Sequence, residues 1–120
     1  MFSVMLSSPS YAKWTKVVAD TRGNTFYVDV ERIRKVDGYV YYWFLTDYGK
    51  RDEYGMFSAK EYHQVDCKLF RFKKLSYVFH KEPMGRDAGD VQEPVKKGWR
   101  YPSSRSGNES LLKLVCAPTK

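Results

Sequence analysis

The chain has 120 residues, enough for one domain with one buried core. Hydrophobic residues at 42% and charged residues at 29% exclude an intrinsically disordered chain, and no apolar run approaches the ~20 residues of a membrane-spanning helix. Aromatic residues at 17% favour β structure, and a net charge of +7 speaks to acidic surfaces, sulfated glycans, nucleic acid or anionic membranes as partners rather than to a fold.

Residues 1–12 (MFSVMLSSPSYA) carry no charged side chain. A short apolar stretch (Phe2, Val4, Met5, Leu6) and Pro9 lead to Ser10-Tyr11-Ala12, a small-x-small triplet of the kind signal peptidase reads. This segment reads as the tail of a signal peptide, against the plain alternative of a disordered terminus. The domain then covers 13–120 and starts near Lys13 in an oxidising compartment.

Trp14–Ala19 reads as a first strand and Thr25–Asp29 as a second, joined by a turn over residues 20–24 in which Gly23 and Asn24 accept positive φ. Val30–Arg34 is a turn or helical half-turn anchored by Ile33. Asp37-Gly38 is the strongest hairpin dipeptide in the chain. It opens a long strand over Tyr39–Tyr48. Tyr39, Tyr41, Trp43 and Leu45 point one way, and Val40, Tyr42, Phe44 and Thr46 the other, so both faces are apolar and a covering element is required. Met56–Val65 reads as a fourth strand and Cys67–Ser76 as a fifth, with Tyr77–Glu82 either continuing it or forming a sixth. Pro83–Gly98 reads as a mobile surface loop. Trp99-Arg100-Tyr101-Pro102 re-enters the fold. Ser106 and Glu109 have capping-box spacing, and Leu111, Leu112, Val115 and Cys116 then form one helical face that must bury against the sheet.

Cys67 and Cys116 lie 49 positions apart and are either two buried thiols or one disulfide. With an exported chain the disulfide is the default, worth about 4 kcal/mol from loop closure alone. Two cysteines and two scattered histidines make no metal set. No catalytic motif is present, so no catalytic residue, metal or cofactor is assigned, and the chain is read as a non-enzyme. His63 is read as a surface or half-buried histidine rather than a general base. Asp87 and Asp90 form a solvated turn rather than a calcium loop. Asn108-Glu109-Ser110 fits a glycosylation sequon and matters only where the source glycosylates.

One charge feature stands out. Lys68, Arg71, Lys73, Lys74 and Lys81 lie within one acid-free stretch, interleaved with Phe70, Phe72, Tyr77 and Phe79. On a strand pair they would make a cationic, aromatic face for an anionic partner, such as a heparin-like glycan or an acidic protein segment. Nucleic acid would use the same residues and is the weaker reading. The plain alternative is a solvated basic face with its aromatics turned to the core. Lys96, Lys97 and Arg100 form a second small cluster.

In order along the chain stand Trp14; Thr25, Tyr27, Val28, Asp29 and Ile33; Trp43, Leu45, Asp47 and Tyr48; Ser58, Lys60, Asp66, Cys67 and Arg71; Trp99, Pro102 and Ser104; and Glu109, Leu112 and Cys116. This ordered set resembles the bacterial surface-adhesin protein E family over nearly all of residues 14–116. The departures are the short leader and the lack of a lipobox cysteine near residue 13. The resemblance implies an α+β single domain: a curved antiparallel sheet of about six strands, with one C-terminal helix pinned by a Cys67–Cys116 disulfide. It implies an exported protein of the periplasm, the outer-membrane surface or the medium. It also implies an adhesin that binds host laminin, vitronectin and plasminogen and can form a homodimer. The family supplies no binding residues, so the nominated site rests on the charge argument: Lys68, Arg71, Lys73, Lys74 and Lys81. The alternative function is a periplasmic structural or envelope-assembly protein that acts by protein–protein contact.

Overall fold

The computed structural model describes residues 13–94 and 96–118; the signal-peptide reading of 1–12 lies outside the described residues. Seven strands form one sheet in the order β1 (Trp14–Ala19), β2 (Thr25–Asp29), β4 (Tyr39–Asp47), β5 (Ser58–Asp66), β6 (Arg71–His80), β7 (Asp90–Gln92). β3 (Arg34–Val36) pairs with β4 alone, and every pairing is antiparallel. β2 and β3 share one side of β4. A 3-10 turn over Val30–Arg32 separates them, so β2 pairs with the end of β4 and β3 with its start. The Asp37-Gly38 turn joins β3 to β4, with both residues at positive φ, as a two-residue hairpin of this twist requires.

The predicted amphipathic helix is α1 (Gly107–Val115). Ser106 caps it, its hydroxyl accepting from the Glu109 N–H at 3.1 Å. Glu109 reaches back to the N–H of Arg105 rather than to that of Ser106, which bonds Ser103. Leu111, Leu112 and Val115 are buried and meet Val28, Val40, Tyr42, Phe44, Val65 and Phe72. Each such side chain contributes about 1.5–3 kcal/mol by leaving water. Cys116 ends the helix and forms the disulfide with Cys67 at the end of β5. The helix thus covers the Val40–Tyr42–Phe44 face of β4. On the other face only Leu45 is fully buried, beneath Gly85 of a 3-10 turn over Pro83–Gly85. Tyr39, Tyr41 and Trp43 stay half-buried there.

Three expectations change. Cys67–Phe70 is a turn rather than the start of a strand: Phe70 takes φ 55°, and Asp66 accepts from the Lys68 and Leu69 N–H groups. β6 then runs unbroken through Tyr77 to His80. Residues 83–92, the first part of the expected mobile loop, are tied down rather than loose. Met84 N–H donates to Asp47 at 2.9 Å, Gly85 N–H to Ser58 at 2.9 Å, and β7 pairs with β6. Asp87 is not merely a solvated turn residue: it accepts from the Lys81 and Glu82 N–H groups and pairs with the buried His80.

Candidate functional site

β6 decides how the basic segment is presented, because successive strand residues face opposite ways. Arg71 and Lys73 stand on the outer face, level with Asp66 and Gln64 of β5. Phe72 and Lys74 stand on the helix face. A bulge then intervenes: Tyr62 pairs with Ser76 but His63 with Lys74, leaving Leu75 unpaired. The extra residue resets the alternation, so Tyr77 and Phe79 share the helix face with Lys74.

The outer face gathers aromatics from three elements. Tyr41 and Trp43 of β4 contact Tyr62 of β5, with ring centroids 6.2 and 4.9 Å apart. A further ring arrives from outside the sheet: Arg100 makes an isolated bridge to Phe72, with N–H···O distances of 2.9 and 2.8 Å. That bridge swings Trp99 over the outer face, where it stacks on Tyr39 at 5.8 Å. Arg71 and Lys73 both address the Trp99 ring, the guanidinium carbon at 4.4 Å and the ammonium at 4.7 Å from its centroid. Such contacts are worth about 0.5–1 kcal/mol each at a hydrated surface, enough to order the side chains without hiding their charge. Arg71 is also held by Asp66 at 3.0 Å. Burial raises the Asp66 carboxyl, but Arg71 and the Leu69 and Lys68 N–H groups outweigh that and hold it below the usual carboxylate range.

The five nominated cations therefore divide. Arg71 and Lys73 share the Trp99 platform. Lys68 is exposed in the β5–β6 turn, and Lys81 is exposed past the opposite end of the ten-residue β6, roughly 30 Å of strand away. Lys74 is on the other face. The interleaved aromatics do not join the platform: Phe72 and Phe70 belong to the core, and Tyr77 and Phe79 to the helix face. Its rings are Tyr39, Tyr41, Trp43, Tyr62 and Trp99. The period-two Tyr-x-Tyr-x-Trp of β4 signalled three of them. Nothing in the sequence places Trp99 above Arg71.

His63 is fully buried, neither at the surface nor half-buried as expected. Burial lowers its pKa, so the ring is neutral, with Nε2 donating to Glu61 at 2.9 Å and Nδ1 accepting from the Tyr42 hydroxyl at 3.2 Å. Burial also pushes the Tyr42 hydroxyl up. Burial would raise Glu61 as well, but His63 and the Lys74 ammonium 3.5 Å away hold it below its ordinary value. The trio has the composition of a proton relay, yet Tyr42 and His63 are sealed from solvent. Among the described residues no cluster of three or more His, Cys, Asp or Glu could hold a metal ion.

The model of the surface-adhesin protein E family matches residues 14–117. The fold is similar to solved structures of protein E from Haemophilus influenzae. Crystal form II superposes with a TM-score of 0.65 at 16% identity, covering 96% of this chain and 97% of that one. A second structure gives 0.62 at 16% identity, covering 93% and 91%. Protein E from a non-typeable strain gives 0.56 at 16% identity, covering 95% and 83%. At that identity the structures speak for the fold alone. No curated protein is similar in sequence. With the family model spanning nearly the whole described domain, this chain belongs to the surface-adhesin protein E family.

Proposed function

We propose that this chain is an exported, non-enzymatic binding domain that engages host matrix or serum proteins through the Trp99 platform. The family supports a surface adhesin. The observation that carries the choice of site is the pair Arg71 and Lys73 fixed over Trp99, beside half-buried Tyr39, Tyr41, Trp43 and Tyr62, on the face α1 does not cover. Aromatic and arginine side chains dominate protein-binding hot spots, because they offer large contact area at low entropic cost. Lys68 and Lys81 act at longer range, steering acidic partners towards the platform, and the net charge of +7 works in the same sense. Lys74 contributes to the other face. Laminin, vitronectin and plasminogen are the partners proposed, with sulfated glycans as competitors for the same cations.

The test is a panel of immobilised laminin, vitronectin, plasminogen, heparin and single-stranded DNA, each titrated with salt. Saturable binding to a matrix or serum protein that weakens with salt and falls about tenfold or more in Arg71→Gln/Lys73→Glu, which sets no carboxylate against Asp66, supports the reading. Silence across the three proteins, or unchanged affinity in that variant, overturns it in favour of an envelope-assembly role. Lys73 and Lys74 should not be reversed together: they sit on opposite faces, and a carboxylate at 74 would be set against Glu61.

A further inference from the structure

On the helix face, over β6 and β7, lies a cleft of about 450 Å³ lined by Lys74, Tyr77, Phe79, Pro94, Lys96 and Arg100. That is the size of a small-molecule site. Tyr77 and Phe79 form a flat wall, their rings 5.4 Å apart and within 6° of parallel. Pro94 is buried beside them. The polar groups are cationic except for the Tyr77 hydroxyl, Gln92 and Glu93, and Glu93 already faces Lys97 at 3.9 Å. Arg100 and Lys96 have no carboxylate partner among the described residues.

The position of the Lys74 ammonium is built from below. It bonds the Tyr77 hydroxyl and pairs with Glu61, which is held by His63, which is held by Tyr42. Burying such a chain of polar groups is costly unless every member is satisfied. Here it fixes one cation at the edge of an apolar cleft with a donor to spare, since an ammonium has three and these contacts use two.

We propose that this cleft binds a small carboxylate with an aromatic or branched apolar body. The carboxylate meets Lys74 and the planar fork of Arg100, and the body lies on Tyr77 and Phe79. A single negative charge fits better than a phosphate dianion, because Glu93 stands at the rim. This chemistry is shared by free aromatic acids and by the C-terminal residue of a peptide. The site is independent of the Trp99 platform, which lies on the opposite face.

The test follows backbone amide shifts while 4-phenylbutyrate, its neutral amide or a tripeptide ending in a free phenylalanine carboxylate is added. We expect saturable shifts at Lys74, Tyr77 and Arg100 with Kd on the order of 1 mM for the acid. The amide should bind about tenfold more weakly, as should the acid to Arg100→Gln, a change at an exposed position that leaves the fold intact. Tighter binding of the tripeptide than of the free acid would support the same site and identify a peptide end as its source. Equal binding of acid and amide, or no saturable shift by about 10 mM, would overturn the proposal.

Discussion

Removing the disulfide should lower stability by about 4 kcal/mol while leaving the helix docked. Cys67 and Cys116 close a loop with a sequence separation of 49. In the chain-entropy treatment a loop of that length restricts the unfolded chain by about 4 kcal/mol. For a domain of this size that is a fall of roughly 20 °C in Tm. The helix itself, nine residues long, would not persist alone in water. Its docking rests on Leu111, Leu112 and Val115, all buried, whose combined burial is worth roughly 6 kcal/mol. That exceeds the loss of the cross-link, so the native state of Cys67→Ser/Cys116→Ser should keep its helical signal. Urea unfolding of both forms, followed by circular dichroism and tryptophan fluorescence, reads this directly. One coincident transition displaced to lower urea is expected. A loss below about 1 kcal/mol would refute the loop-closure reasoning. Loss of helical signal before the fluorescence transition would show that the bond, not the apolar face, holds the helix.

Other perturbations have equally definite outcomes. Burial lowers the pKa of both His63 and His80. The unfolded chain therefore binds protons near pH 6.5 that the folded chain refuses, and stability, level above about pH 6.5, should decline as pH falls below it. The slope is at most about 1.4 kcal/mol per unit for each histidine, and equal urea midpoints at pH 7.5 and 5.5 would contradict it. Gly89→Ala should cost far more than Gly38→Ala. Both have positive φ, but a Cβ at 89 would lie 2.6 Å from Val78 and 2.7 Å from the His80 ring, whereas at 38 nothing lies within 4 Å. We expect about 1 kcal/mol at 38 and at least about 2 kcal/mol more at 89, compared by thermal melts. Ser106→Ala should cost about 1 kcal/mol through the lost cap, and an unchanged Tm would deny that bond a role.

Local rules made much of this fold legible. The Asp37-Gly38 turn, the alternation of β4 and the Ser106 N-cap each depend on residues close in sequence and are present in the fold, although Glu109 closes the capping box on Arg105 instead of Ser106. The errors arose where a single residue changed the periodicity. Phe70 looks like a strand residue, yet it takes a left-handed conformation that ends the β5–β6 hairpin, stabilised by Asp66 and by packing on the core. The unpaired Leu75 turns Tyr77 and Phe79 to the face opposite that expected from counting by twos. The site was half visible for a related reason. Arg71 and Lys73 announced themselves by charge, but their aromatic partner Trp99 arrives through one bridge at the end of a long connection, which no local pattern encodes. The burial of His63 has no local signal, because its partners Tyr42 and Glu61 meet it only once β4 and β5 pair.

We propose the Trp99 platform as the binding surface. The most direct test is to record amide and indole resonances of the labelled domain while a matrix or serum protein from the panel is added. Binding there should remove the Trp43 and Trp99 indole signals, and the amides of Tyr39, Tyr62, Arg71 and Lys73, while the α1 amides of Leu111 and Leu112 remain. A footprint on α1 or along the β1 edge, with both indoles untouched, would contradict it.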